Sequence, residues 1–163
     1  MNITKVKYDG SKVRIEYTVD RKDGGESDEY SVVSGDKPLP SFTDALQALS
    51  MAVADICELN REASSCIDVR GVTFTWKSDI MWACITGLKS LKTTNSPLVL
   101  NTPHLPESAY SGNPDDGSPC LPRAAAQLLY SVLEEAKRYL NGDRAQATLP
   151  LGTPTSDPQK GTA

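Results

Sequence analysis

Lys12-Val13-Arg14-Ile15-Glu16-Tyr17-Thr18-Val19-Asp20 alternates apolar and polar side chains without a break. Period two puts Val13, Ile15, Tyr17 and Val19 on one side of an extended chain. Lys12, Arg14, Glu16 and Thr18 fall on the other, as in a strand buried on one face only. Upstream, residues 3–8 alternate more loosely, with Ile3, Val6 and Tyr8 among Lys5 and Lys7, and run into Asp9-Gly10, a dipeptide that favours a hairpin turn. Downstream, residues 21–26 contain Gly24-Gly25, a second turn, and residues 28–34 (DEYSVVS) supply a third strand. The N-terminal third therefore reads as an antiparallel meander with one wet face.

Pro38 and Pro40 lack the N–H donors a sheet needs, so the meander stops in residues 35–40. Ser41, with Asp44 three positions on, resembles a capping box and opens a helix. Phe42, Ala45 or Leu46, Leu49, Val53 and Ile56 recur at helical steps, which predicts one helix to about Asn60. Residues 61–65 form a polar connector. Residues 67–76 and 80–88 read as strands around a turn at Lys77-Ser78-Asp79, with Gly71 and Gly87 marking bulges or close backbone approaches. Residues 97–100 make a short edge strand, and residues 101–122, rich in Pro, Gly, Ser and Asp, make a long loop. Pro122 suits the first turn of a last helix, whose stripe is Ala125, Leu128, Leu129, Val132, Ala136, Tyr139 and Leu140 and whose end is Asn141-Gly142.

The fold class that follows is α+β: an antiparallel sheet of about six strands, in βββα-βββα order, with two helices packed on one face. Residues 1–142 form one domain, with residues 1–60 and 67–141 repeating the same element order, and residues 143–163 read as a flexible tail.

The chain has 163 residues, 39% hydrophobic and 23% charged, enough for a sizeable core. A net charge of −4 excludes a generally basic nucleic-acid-coating protein. No apolar run is long enough to span a bilayer, so no membrane role is expected and the cytoplasm is the expected location. The single histidine, His104, removes most histidine-based metal and triad chemistry. Cys57, Cys66, Cys84 and Cys120 match no zinc spacing and read as reduced core thiols. A nucleophilic Cys120 beside His104 is the thiol alternative. The acidic groups Glu26, Asp28, Glu29 and Asp115-Asp116 lack calcium-loop spacing. Neither a metal nor a cofactor is expected.

Binding residues are more legible than catalytic ones. Residues 70–100 hold Arg70, Lys77, Lys89 and Lys92 against one acid, Asp79, and both tryptophans, Trp76 and Trp82. Rings beside cations suit a nucleotide or single-stranded nucleic acid, because bases stack while cations meet phosphates. A two-residue turn at Ser78-Asp79 places Trp76 opposite Met81 and sends Trp82 to the polar face with Thr73, Thr75 and Cys84; a one-residue shift places both rings on one side. Asn101-Thr102-Pro103-His104-Leu105-Pro106 is the second candidate, polar groups on a loop stiffened by prolines. The set is Trp76, Trp82, Arg70, Lys77, Lys89, Lys92, Asn101, Thr102 and His104, with no catalytic residue among them.

Gly71-Val72-Thr73-Phe74-Thr75-Trp76, Ile85-Thr86-Gly87-Leu88 and Pro97-Leu98-Val99-Leu100-Asn101-Thr102-Pro103-His104 resemble segments of small accessory proteins of tailed bacteriophages and prophages, over about 40 residues. The resemblance implies a protein of the bacterial cytoplasm that binds a host protein or a small nucleotide-like ligand, as an inhibitor of host defence does. Its alternatives are an accessory of phage DNA replication or recombination that touches single strands, and an enzyme. A homo-oligomer built on a sheet edge is also compatible with it.

Overall fold

In the computed structural model, which describes residues 1–108 and 117–146, β1 (Asn2–Tyr8), β2 (Val13–Val19) and β3 (Asp28–Ser34) form the antiparallel meander. Asp9 builds its first turn. One carboxylate oxygen accepts from the Lys12 and Ser11 backbone N–H groups and from the Ser11 hydroxyl, each at 2.8 Å. These donors favour the charged form and hold the Asp9 carboxyl down at about 2. A register shift after Ile3 lets both Ile3 and Val6 face the core.

β4 (Ile67–Lys77) and β5 (Ile80–Lys89) form the longest hairpin. Ser78 and Asp79 turn it with φ of 49° and 63°, the left-handed pair whose twist matches that of the strands. Trp76 lies opposite Met81, the pairing of the two-residue turn, so the tryptophans face opposite sides. β6 (Leu98–Asn101) and β7 (Leu105–Pro106) both run along β5, and the order is β3-β2-β1-β4-β5-β6. Each half thus unrolls outward from the central β1–β4 pair.

β7 lies inside the segment expected to be loop, and it raises the strand count to seven. Thr102 explains how pairing survives the two prolines. It is 3% exposed; its Oγ accepts from the Ile85 N–H at 2.9 Å, and its own N–H donates to the Ile85 carbonyl at 3.0 Å. Residues 98–107 therefore behave as one edge strand with a bulge at Pro103-His104. The expected loop residues 109–116, including Asp115-Asp116, lie outside the described residues.

Three helices, α1 (Pro40–Gln47), α2 (Ser50–Ile56) and α3 (Arg123–Leu140), pack on one face of the sheet. The single helix expected over residues 41–60 is two. The Leu49 N–H bonds the Leu46 carbonyl, tightening the last turn of α1, and Leu49 and Val53, four residues apart, are both buried completely. Ser41 does not cap α1. Leu39 holds that position without a side-chain bond, Pro40 starts the helix, and the Ser41 hydroxyl donates to Glu135 of α3 at 2.7 Å. The core is the shared apolar face: Val6, Ile15, Val72, Phe74, Met81 and Ile85 from the sheet against Phe42, Val53, Leu129 and Tyr139 from the helices.

Gly142, at φ 100°, ends α3, and the Asp143 N–H returns to the Arg138 carbonyl. The expected domain boundary at Gly142 falls short. Arg144 bridges Pro38, pairs with Asp36 and lies 4.6 Å over the Tyr139 ring, while the Ala145 N–H bonds the Lys37 carbonyl. The remainder of the expected tail, residues 147–163, lies outside the described residues. The cysteines also depart from expectation: Cys66 and Cys120 are exposed, and only Cys57 and Cys84 are half-buried, where burial pushes their thiols up. Among the described residues, no helix is long and apolar enough to cross a membrane.

Candidate functional site

The face opposite the helices carries the chemistry. Strand alternation places Lys5, Lys7, Arg14, Glu16, Thr18, Thr73, Thr75, Lys77, Trp82, Cys84, Thr86 and Asn101 on it. Helical cover makes one face apolar, and the other face keeps the polar half of each alternating strand.

Trp82 is the large aromatic of this face. It lies directly across from Thr75. The Lys77 ammonium stands 4.7 Å over its ring, and the His104 ring meets it edge-on at 6.1 Å. The hairpin turn supplies Lys77, and the Pro103-His104 bulge supplies His104. Two separately predicted candidates, the Trp76–Trp82 hairpin and the His104 loop, are thus one cluster. The Trp82 Nε1–H is shielded from solvent and has no acceptor among the described residues, an unusual state for a buried donor.

Beside the cluster, β1 and β4 pair only from Lys5↔Thr73 to Lys7↔Gly71 and then diverge. An open hollow of roughly 720 Å³ lies over the gap. Hydroxyls are the commonest lining groups, among them Thr4, Thr18, Ser31, Thr73 and Thr75, and the charged groups are the carboxylates of Glu16, Asp20 and Glu29 with the ammonium of Lys5. Lys5 and Glu16 form a cross-strand ion pair at 3.6 Å. A volume of this order matches small-molecule sites. Hydroxyls donate and accept, an ammonium attracts an anion, and an indole offers a stacking surface.

The other predicted residues divide. Trp76 lies on the helix side, and its Nε1–H donates to the Ile3 carbonyl at 3.3 Å; it closes the gap between β1 and β4 from below and borders the hollow. Thr102 is committed to the sheet, as described above. Asn101 accepts from the Thr86 hydroxyl at 2.8 Å, on the same face as Trp82 but two β5 alternations away from it. Arg70, displaced by the bulge between Val69 and Gly71, pairs with Asp68. Lys89 sits at the far end of β5 with its side chain on the helix side, and Lys92 is exposed in the following loop. The four cations expected to form one basic patch are therefore not brought together. Sequence reasoning missed Thr4, Thr18 and Ser31. Their signal was present as hydroxyls on the polar side of alternating strands, but which strands are neighbours is not written in any one strand. No protein-family model, curated protein or solved structure matches this chain.

Proposed function

We propose that the protein is a non-catalytic binding protein that holds a small nucleotide-like ligand on the uncovered sheet face. In this reading it is a phage or prophage accessory protein, and sequestering a defence signalling nucleotide would make it an inhibitor of host defence. The observation that carries the proposal is the meeting of Trp82, Lys77 and His104 on the same sheet face as the hydroxyl-lined hollow, joined to it through Thr75, which lines the hollow and lies opposite Trp82. A base stacks on the indole, the ammonium meets a phosphate, and the threonine hydroxyls meet a sugar. The groups at the hollow are suited to recognition, and the His104 ring packs against the Trp82 indole. The dispersal of Arg70, Lys89 and Lys92 favours a compact ligand over a single strand, which needs a continuous basic track.

Titration of the Trp76→Phe protein with adenosine monophosphate and a cyclic dinucleotide, followed by Trp82 fluorescence, tests the reading. Loss of one stacked base is worth about 1–3 kcal/mol, so Trp82→Ala, followed calorimetrically, weakens binding by roughly 5- to 150-fold. Lys77→Gln retains the ring and reduces the salt dependence of binding. Equal affinity in the parent and both variants would refute the site.

A further inference from the structure

The two edges of the sheet are not alike. The β6–β7 edge is interrupted by Pro103 and Pro106 and bulges at Pro103-His104, features that keep other strands away. Among the described residues β3, the other edge, pairs only with β2, and it runs seven residues in unbroken register. It contains no proline, lysine or bulge. Tyr30 and Val33 are 46% and 51% exposed, and Tyr30 stacks on Tyr17 at 5.2 Å on the side the helices cover elsewhere.

We propose that β3 pairs antiparallel with β3 of a second copy of this chain, forming a symmetric dimer with one continuous sheet. Pairing of all seven residues centres the two-fold axis on Ser31. That register sets Tyr30 opposite Val32 of the second copy, which extends the Tyr17–Tyr30 stack into an apolar row across the interface. It also sets the acids, Asp28 and Glu29, opposite Ser34 and Val33 of the second copy, so no like charges face each other. A contact of this kind is self-complementary and closes at two chains. In this register opposing residues share a face, so both sets of helices lie on one side and both hollows on the other. Glu29 and Ser31 line the hollow, and the two hollows therefore become neighbours across the axis. The dimer stands or falls independently of what the hollow binds.

Light scattering at micromolar concentration is expected to give twice the chain mass, and Tyr30→Lys with Val32→Lys to give the single-chain mass with an unchanged circular dichroism spectrum. Opposed residues in antiparallel strands have Cα atoms about 4.5–5.5 Å apart, within disulfide reach. In a Cys66→Ser, Cys120→Ser background, Ser31→Cys should therefore cross-link under mild oxidation. Val33→Cys, which faces Glu29 of the second copy, should not. A single-chain mass for the parent protein overturns the proposal, whether the edge is bare or covered by the chain's own C-terminal residues. Cross-linking of Val33→Cys as readily as Ser31→Cys overturns the register and the symmetry argued from it.

Discussion

Gly71→Ala is expected to destabilise the domain by about 3 kcal/mol, the upper range for forcing an extra methyl into a packed site. A Cβ at Gly71 would stand 2.6 Å from the Val6 carbonyl oxygen and 3.2 Å from the Lys7 Cα. Both are backbone atoms, so no rotamer change relieves the clash and the strands themselves must separate. The place is sensitive because β1 and β4 share only three residue pairs, and Lys7↔Gly71 is one of them. That short ladder is the sheet's joint between its two halves. Gly87→Ala provides the contrast. There the nearest atom is the Ile67 Cγ2 at 2.9 Å, a side-chain methyl, while the Asp68 carbonyl oxygen at 3.6 Å is in ordinary contact, and a loss of about 1 kcal/mol is expected. Urea unfolding of both variants makes the comparison. A Gly71→Ala loss no larger than that of Gly87→Ala would show that the joint yields easily.

Phe42→Ala is expected to cost about 3–5 kcal/mol, the usual range for deleting a buried aromatic ring. Phe42 is 2% exposed, lies edge-on to Tyr8 at 6.4 Å and tilts against Tyr139 at 5.8 Å. It therefore ties α1 to the first hairpin and to α3 at once. Tyr139 cannot collapse into the void freely, because its hydroxyl donates to the Asp36 carbonyl at 2.6 Å. A domain of ordinary stability, about 5–15 kcal/mol, would be left near its unfolding threshold. Thermal melting should show a large drop in midpoint; a loss below about 2 kcal/mol would mean that the neighbouring helices repack around the gap.

The meander, the long hairpin and the last helix were legible because each is local. Val13-Arg14-Ile15-Glu16-Tyr17 can alternate for only one reason, and Asn141-Gly142 ends a helix wherever it follows one. Less legible were features set by neighbours distant in sequence. Pro103 and Pro106 argued for a loop, yet Thr102 supplies the bonds that keep this segment on β5. Ser41 looked like a cap, but Glu135, 94 residues away, takes its hydroxyl. The same distinction governs the site. The hairpin register that sends Trp82 to the uncovered face was one of two readings open to the sequence, decided by the left-handed φ values at Ser78 and Asp79. Its union with His104 depends on the β5–β7 pairing, and the apparent basic patch dissolves because Lys89 turns to the helix side while Arg70 pairs with Asp68.

The two indole N–H groups report directly on the proposed binding face. Trp76 Nε1–H is held by the Ile3 carbonyl on the helix side, whereas Trp82 Nε1–H has no acceptor among the described residues and belongs to the uncovered face. A ¹H–¹⁵N spectrum recorded during titration with adenosine monophosphate and a cyclic dinucleotide should show the Trp82 indole signal moving with the Thr73 and Thr75 amides. Shifts confined to α1, α2 or α3, or a Trp82 signal that neither compound moves, would contradict the account.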